Sequence, residues 1–224
     1  MSTRLPPELA ALDHRFALQT RDVTVGGRVW RLELPRSAED LINEADFERD
    51  ERLPYWADLW PSAIVLAAEV ASLDGAGRRA IEFGAGLGLP SLAAVYAGFD
   101  VTVTDYDEDA LRFARRNAVR NVACDLAARL VDWRSLPDAL GRFDLVLAAD
   151  VLYERPYAPL VARAVVGALA PEGVALIADP GRVALSACLA ECATLGATVR
   201  ERRTVRHEDD VTKHTITIHE VRLG

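Results

Sequence analysis

A glycine-rich loop between a short apolar run and a helical segment constrains the fold more than any other feature of the sequence. Residues 80–83 read as a strand that leads into Gly84-Ala85-Gly86-Leu87-Gly88, and an apolar helix is predicted at 89–97. Glycines at such a turn let the backbone pass close to a ligand, and the helix N-terminus offers free N–H groups. The loop therefore predicts a strand–turn–helix unit that binds a small molecule at the turn.

The segments after this loop alternate between apolar runs and helical patterns. Strands are predicted at residues 100–105, 126–131, 143–149 and 174–178, and further helices at 108–117, 157–169 and 183–195. The turn residues Pro171-Glu-Gly173 are expected to close the second of these helices. Strands that alternate with helices form a parallel sheet covered on both faces. The nearly all-apolar run 143–149 is typical of a strand inside such a sheet.

The C-terminal segments break the parallel pattern. Residues 198–205 and 215–223 read as an antiparallel hairpin, with Ile216, Ile218, Glu220 and Arg222 in register. The charged stretch at 200–210 mixes both signs without interleaved aromatics, which indicates a solvated hairpin tip rather than a nucleic-acid surface. We expect an α/β fold, a Rossmann-like seven-stranded sheet with helices on both faces and an antiparallel C-terminal hairpin.

The N-terminal part of the chain has a different pattern. Two β-rich runs at 23–34 flank Gly26-Gly27, and Trp30, Leu32 and Leu34 alternate onto one face. Ser37 and Asp40 are expected to cap a short acidic helix that ends near Arg52. Pro61 suits the first turn of a further, buried helix that continues over 62–73. We therefore expect an N-terminal extension over residues 1–52 and the main domain over 53–224.

Composition and charge exclude several protein classes. Half of the residues are hydrophobic, which is typical of a globular chain, and no apolar run reaches the ~18 residues of a membrane span. The net charge of −8 disfavours a broad grip on nucleic acid. No secretory signal is expected at the start of the sequence, and the three cysteines read as buried or half-buried apolar residues rather than disulfide or zinc ligands. These features favour a reducing cytoplasm and predict no membrane contact.

Two acids beside the loop indicate the kind of ligand. Asp105 ends the next strand, about 20 residues after the loop, where an acid commonly holds ribose hydroxyls. Glu82 stands just before the loop, where it would repel a pyrophosphate and suit a cation. Leu89 occupies the third glycine position of the dinucleotide fingerprint, which disfavours a nicotinamide-dependent oxidoreductase. S-adenosylmethionine, with its sulfonium and ammonium groups, fits this pattern better.

The motif Glu82-Phe-Gly-Ala-Gly-Leu-Gly88, Asp105 and the terminal hairpin resemble the class I S-adenosylmethionine-dependent methyltransferases. The run Leu53-Pro-Tyr-Trp-Ala-Asp-Leu-Trp-Pro-Ser62 is similar to the segment before the glycine loop in the seven-β-strand lysine methyltransferases of methyltransferase family 16. Ala149-Asp-Val-Leu-Tyr-Glu154 is similar to their Asp-x-x-Tyr motif. Within that group, the first run looks closest to the lysine methyltransferases of the electron transfer flavoprotein β-subunit and their bacterial relatives. The resemblance covers roughly residues 50–224.

The resemblance implies a set of cofactor contacts. The methionine end would be surrounded by Glu82 and the loop residues Gly84, Ala85, Gly86 and Gly88. Asp105 would accept hydrogen bonds from the ribose hydroxyls, and Ala149 would complete this side of the site.

The adenine end would involve aromatic residues. Tyr106 would cover the adenine, Asp132 would bind its amino group, and Trp133 would lie beside the ring or serve only as a packing aromatic. Trp60 would lie along the cofactor, anchor the N-terminal extension, or do both.

The acceptor end is expected at the Asp-x-x-Tyr motif. Asp150 would attract a lysine ammonium and orient the amine, and Tyr153 would wall the aliphatic stem or offer its hydroxyl. The alternatives are a helix cap for Asp150, for which Glu154 stands closer, and simple packing for Tyr153. The implied function is methylation of lysine side chains of a protein, and no metal is required. A small-amine methyltransferase of the nicotinamide type remains open, while a binding module without activity is disfavoured by the intact motif acids.

Overall fold

The computed structural model describes residues 5–37, 41, 54–137, 140–208 and 213–224. Its strands are β1 (Leu18–Val25), β2 (Arg28–Pro35), β3 (Arg79–Phe83), β4 (Asp100–Asp105), β5 (Ala127–Leu130), β6 (Phe143–Ala149), β7 (Leu169–Asp179), β8 (Ala197–Glu208) and β9 (Lys213–Leu223). Its α-helices are α1 (Pro7–Ala10), α2 (Leu12–Arg15), α3 (Pro61–Val70), α4 (Leu89–Tyr96), α5 (Glu108–Val122), α6 (Tyr157–Ala168) and α7 (Leu185–Thr194). Short 3-10 turns stand at Tyr55–Ala57 and Trp133–Ser135.

A seven-stranded sheet in the order β5-β4-β3-β6-β7-β9-β8 organises the protein. Neighbours from β5 to β7 pair in parallel, whereas β9 pairs antiparallel with both β7 and β8. The predicted fold class is therefore confirmed, including the antiparallel strands at the C-terminal end. Because β3 has β4 on one side and β6 on the other, the strand order reverses at β3. Ligands of open α/β sheets bind in the crevice at such a reversal.

Two apolar cores cover the two faces of this sheet. Leu145 and Leu147 of β6 belong to the core that contains residues of α3, α4 and α5. Val146 and Ala148, on the opposite face of the same strand, belong to the core that contains residues of α6 and α7. This alternation matches the period of two along a strand, and it confirms the expected helices on both faces.

The predicted bounds of β4 and β6 are confirmed, but helix α5 is five residues longer than the 108–117 segment expected from the sequence. Asn117 does not end the helix, because its amide donates to the carbonyl oxygens of Glu33 and Leu87, both at 3.1 Å. The helix ends instead before Ala123, which adopts a left-handed φ of 53°. The asparagine thus serves tertiary packing rather than helix termination.

The prediction that Pro171-Glu-Gly173 forms a turn between helix and strand was also wrong. Helix α6 ends at Ala168, and β7 begins at once with Leu169 instead of at residue 174. Phe143 pairs with Leu169, and the next pair joins Leu145 to Val174, so the turn residues form an irregularity within the strand. Helix α3 begins with Pro61 as expected but ends at Val70 rather than at residue 73, and α7 is shorter at both ends than the expected 183–195.

The predicted N-terminal hairpin is confirmed as β1 and β2, with Gly26 and Gly27 between them. Trp30, Leu32 and Leu34 are buried on one face. The expected helix from Ser37 to Arg52 lies outside the described residues, apart from Ser37 and Leu41.

The hairpin and the first two helices are tied to α5 by a buried arginine. Arg116 is 1% exposed, and its guanidinium donates to the Leu9 carbonyl oxygen at 2.8 Å and to Asp13 at 2.7 Å. Its Nε donates to Glu33 of β2. One cation therefore joins α1, α2 and β2 to the helix that covers the sheet.

The cysteines are buried or half-buried, and the charged stretch near the C-terminus is largely solvated, as the sequence predicts. Cys188 and Cys192 are buried and Cys124 is half-buried, all as free thiols. The arginines along β8 are solvated or paired with acids, and the tip at 209–212 lies outside the described residues. In the part of the chain that is described, no helix has the length and apolar character to cross a membrane.

Candidate active site

A cleft of about 700 Å³ lies at the carboxyl ends of β3, β4 and β6. All of the predicted site residues line it except Asp132: Trp60, Glu82, Gly84, Ala85, Gly86, Gly88, Asp105, Tyr106, Trp133, Ala149, Asp150 and Tyr153. The sheet topology thus brings together motifs that are up to 93 residues apart, from Trp60 to Tyr153.

The loop after β3 requires its glycines for two reasons. Gly84, Gly86 and Gly88 have left-handed φ angles of 65°, 51° and 80°, which glycine adopts without a steric cost. A Cβ on Gly88 would also stand 2.9 Å from the Cβ of Ala114 in α5, and one on Gly86 would stand 3.2 Å from the Trp56 carbonyl oxygen. The loop therefore packs closely on both sides while it lines the cleft.

Asp105 holds this loop from the end of β4. Its Oδ2 accepts a hydrogen bond from the Gly86 N–H at 3.0 Å, and its Oδ1 accepts one from the Asp107 N–H at 3.1 Å. Burial raises the pKa of Asp105 to about 6, because water no longer stabilises the charge. The carboxylate lines the cleft and is only 5% exposed.

Glu82 is a second buried acid on the floor of the cleft. Its Oε2 accepts hydrogen bonds from the backbone N–H and the hydroxyl of Ser91, in the first turn of α4. Desolvation raises the pKa of Glu82 to about 8, against the effect of these hydrogen bonds. Two acids that are costly to ionise in the free protein therefore face the same cleft, as in a site that binds a cation.

The residues predicted for the adenine end are separated in part. Trp133 lines the cleft from the 3-10 turn that follows β5, and Tyr106 lines it from the end of β4. Asp132 lies in a neighbouring hollow of about 310 Å³, which Trp133 and Tyr106 share. Its carboxylate accepts from the backbone N–H of Arg134 at 2.9 Å and pairs with the Arg134 guanidinium.

Asp150 follows β6 in an unusual conformation. It has a left-handed φ of 57°, which aspartate tolerates better than most residues. Its Oδ1 accepts from the Arg182 guanidinium at 2.7 Å, and its Oδ2 accepts from the Ser62 hydroxyl at 3.1 Å. Helix α6 begins after Pro156 without a side-chain cap, so neither Asp150 nor Glu154 caps it.

A row of aromatic rings forms one wall of the cleft. Tyr153 lies 4.7 Å from Tyr55 and 5.6 Å from Tyr157, measured between ring centroids. Tyr55 in turn contacts Trp60, and Tyr157 contacts Trp133. Burial raises the pKa of Tyr153 far above its ordinary value, so its hydroxyl stays protonated. Rings of this kind accommodate cations and apolar stems together.

Two roles were predicted for Trp60, a position along the cofactor and an anchor for the N-terminal extension, and Trp56 takes the place of Trp60 in the second. The indole N–H of Trp60 donates to the Tyr55 carbonyl oxygen at 2.7 Å, and the Arg182 guanidinium stands 5.4 Å from its ring. Trp56 packs instead against Phe113 at 5.4 Å and Phe16 at 6.4 Å. Trp60 thus faces the cleft, while Trp56 joins the segment before α3 to the N-terminal region and α5.

Sequence reasoning missed several lining residues. Tyr55, Trp56, Asp58, Leu59 and Ser62 stand in the run that includes Trp60, so the run itself could have signalled them. Arg182 follows β7, 32 residues after Asp150, and no local pattern marks it.

A second, wider groove of about 1380 Å³ adjoins the cleft. Asp58, Leu59, Trp60 and Asp150 line both. The residues that line the groove but not the cleft include Arg21 of β1, Arg182, and His214 of β9. The Asp150 end of the cleft therefore lies beside the larger of the two spaces.

Comparison with known families places this cleft in context. A family model described as "Lysine methyltransferase" matches residues 45–184. EEF1A lysine methyltransferase 3 of Mus musculus is 33% identical over 139 residues, 58% of this chain and 58% of that protein. Protein N-lysine methyltransferase METTL21A of Danio rerio is 35% identical over 111 residues, 46% of this chain and 50% of that protein. The chain spans about half the length of the curated relatives it matches.

Solved structures support the fold. Magnesium protoporphyrin IX methyltransferase from Synechocystis, solved with bound SAM, superposes with a TM-score of 0.57 at 18% identity over 82% of this chain and 94% of that one. The ribosomal protein L11 methylase of Lactobacillus delbrueckii gives 0.55 at 20% identity over 73% and 77%. At these identities the likeness establishes the architecture alone.

Proposed function

The chain belongs to the lysine methyltransferase family, and we propose that it transfers a methyl group from S-adenosylmethionine to lysine side chains of a protein substrate. The proposal includes residues 53–224 as the methyltransferase domain, with 1–52 as its extension. It also includes a cytoplasmic location, which the three free thiols support.

The residues of the cleft fit this cofactor. A glycine cradle that a Cβ would fill, together with the buried acids Glu82 and Asp105, suits a ligand that carries hydroxyls and positive charge. Asp105 would bind the ribose hydroxyls, Glu82 and the loop would face the methionine end, and Trp133, Tyr106 and Asp132 would serve the adenine end. When bound, S-adenosylmethionine supplies a methyl group on a sulfonium, whose C–S bond breaks as the N–C bond to a neutral amine forms.

The protein's own task is to hold the amine in line and without its proton. A lysine amine has an unperturbed pKa of about 10.4, so it must lose a proton before it attacks. The aromatic row around Tyr153 lowers the local polarity and disfavours the charged form of the amine. Tyr153 would wall the aliphatic stem, while Asp150 fixes the acceptor end through Arg182 and Ser62.

One observation carries the choice of a protein substrate. The cleft shares four lining residues, Asp150 among them, with a wider groove that Arg21 and His214 also line. A polypeptide can occupy this groove while one lysine enters the cleft, whereas a small amine needs no such surface. The groove beside Asp150 therefore supports a protein acceptor over a small molecule.

Transfer of label distinguishes the two acceptors. The protein is incubated with S-adenosylmethionine labelled in the methyl group and with a cell lysate separated into protein and small-molecule fractions. We expect label in protein, recovered as methyllysine after hydrolysis. Label only in the small-molecule fraction would establish the amine alternative and contradict the proposal.

A further inference from the structure

Four carboxylates line the cleft within the described part of the chain, and three of them already accept hydrogen bonds. Glu82 accepts from Ser91, and Asp105 accepts from the N–H groups of Gly86 and Asp107. Asp150 has one oxygen on Arg182 and the other on Ser62. To receive an incoming ammonium, Asp150 would have to release a guanidinium, which is costly for a side chain that is 3% exposed.

Asp58 is the fourth carboxylate, and its surroundings differ. It lines both the cleft and the groove, where the two adjoin. Asp58 is exposed, and no described residue donates a hydrogen bond to its carboxylate. Partial burial raises the pKa of Asp58, and the charge of Arg21, which also lines the groove, acts against this effect.

The backbone holds Asp58 at this junction. It follows the 3-10 turn Tyr55–Ala57 with an extended conformation, at φ −101° and ψ 150°. Its neighbours Ala57 and Leu59 are both buried, at 1% and 8% exposure. The segment is therefore anchored on both sides, while the carboxylate between these anchors faces the opening.

We propose that the groove binds the acceptor polypeptide and that Asp58 is the carboxylate that receives the target lysine's ammonium where it enters the cleft. This inference rests on the proposed function, and it names the anionic contact of the acceptor. A carboxylate with unoccupied lone pairs forms a charge-assisted hydrogen bond without displacing a partner. The rings of Trp60 and Tyr55, which line the cleft beside Asp58, add a favourable surface for the cation.

The test compares Asp58→Asn with the matched control Asp22→Asn. Asp22 lies on β1 next to Arg21, but it pairs with Arg31 and belongs to the opposite face of the strand. Initial rates of label transfer are measured over a range of lysate protein concentrations. For Asp58→Asn we expect the protein concentration that gives the half-maximal rate to rise about tenfold, which corresponds to a tenfold weaker binding of the acceptor. The maximal rate and the affinity for S-adenosylhomocysteine should change less than about twofold. Asp22→Asn should behave as the wild type, and Asp58→Glu should recover part of the loss.

A second measurement does not depend on turnover. The protein saturated with S-adenosylhomocysteine is melted with n-butylammonium, which mimics the lysine side chain, and with n-butanol as the uncharged control. We expect n-butylammonium to raise the melting temperature of the wild type and of Asp22→Asn but not of Asp58→Asn. Equal stabilisation of all three proteins, or an unchanged half-maximal concentration for Asp58→Asn, would overturn the inference. If the wild type transferred no label to protein, the proposed function would fail, and the melting experiment would still decide the role of Asp58.

Discussion

The Arg182 guanidinium donates from Nε to Oδ1 of Asp150 at 2.7 Å, which joins the loop after β7 to the residue that follows β6. The same guanidinium lies 5.4 Å from the Trp60 ring at the start of α3. Three segments that are distant in sequence are thereby fixed around the acceptor end of the cleft. The charge of Asp150 is used to hold this arrangement, so its removal should disturb the acceptor end more than the cofactor end.

We predict that Asp150→Ala loses methyl transfer by about tenfold or more, whereas the affinity for S-adenosylhomocysteine stays within a few-fold of the wild type. Alanine removes the partner of Arg182, and it also pays roughly 1–2 kcal/mol for a left-handed backbone. Label transfer and calorimetry measure the two effects separately. Asp150→Asn tolerates the same backbone and isolates the loss of charge. Near-normal turnover in Asp150→Ala, or a loss explained by cofactor affinity alone, would show that Asp150 does not serve the acceptor.

Asp105→Ala should act on the cofactor. Each charge-assisted hydrogen bond from its carboxylate is worth roughly 1.5–3 kcal/mol, so we expect a loss of affinity for S-adenosylhomocysteine of about tenfold to a hundredfold. Calorimetry gives the dissociation constant directly. The control is Asp100→Ala, at the exposed start of the same strand, which should leave the affinity unchanged. An unaltered affinity in folded Asp105→Ala would place the ribose elsewhere.

The buried acid Glu82 makes stability depend on pH. Because burial raises its pKa to about 8 from an ordinary 4.5, the folded state keeps a proton that the unfolded state has lost between these values. The folded state binds more protons in that window, so the free energy of unfolding contributed by Glu82 falls as pH rises from about 4.5 to 8.

Glu82→Gln isolates this effect, since glutamine can accept the same hydrogen bonds from Ser91 but does not titrate. We expect wild type and variant to unfold at similar guanidinium concentrations at pH 5 and the variant to be more stable at pH 8, in the absence of cofactor. A constant difference between the two proteins over this pH range would show that Glu82 ionises normally in the folded state.

Gly88→Ala should destabilise the protein more than Gly77→Ala. Both glycines have left-handed φ angles, 80° and 74°, so backbone strain destabilises both variants by roughly 1–2 kcal/mol. A Cβ at residue 88 also meets the Ala114 Cβ at 2.9 Å, while one at residue 77 meets no atom within 4 Å. We expect an additional loss of about 1–3 kcal/mol at residue 88, measured by denaturant unfolding. Equal losses would mean that α5 moves away from the loop at little cost.

Two variants of Tyr153 distinguish a role of its aromatic ring from a role of its hydroxyl. Burial raises the pKa of this hydroxyl far above its ordinary value, so it stays protonated and offers no phenolate to act as a base. We therefore expect Tyr153→Phe to retain label transfer within about threefold, and Tyr153→Ala, which removes the contacts to Tyr55 and Tyr157, to lose about tenfold or more. A large loss in Tyr153→Phe would assign the role to the hydroxyl.

Local sequence pattern accounts for most of the elements but not for the contacts between them. Strands β4 and β6 have the bounds that their apolar runs predict, because each run is short and ends at an acid. The helix predicted over 108–117 continues to Val122, and Asn117 within it donates hydrogen bonds to Glu33 and Leu87, distant contacts that the local pattern does not show. The place of Pro171-Glu-Gly173 depends on pairing with β6, which is not visible in the segment itself.

The site follows the same division. The glycine loop and Asp105 form one strand–turn–helix–strand unit, so short-range motifs were sufficient to place them in the cleft. The prediction for Asp132 was based on its position after β5. The position does not determine the direction of the side chain, which pairs with Arg134. The pair of Asp150 with Arg182 exists only because β6 and β7 are neighbours in the sheet.

The buried guanidinium of Arg116 has a practical consequence for anyone who trims this protein. The family model begins at residue 45, yet Leu9, Asp13 and Glu33, which accept the hydrogen bonds of Arg116, all precede that point. A recombinant version that starts there would lose all three acceptors, and it would also uncover the part of α5 that α1, α2 and β2 pack against. The segment that homology recognises is thus smaller than the segment that the hydrogen bonds of Arg116 hold together.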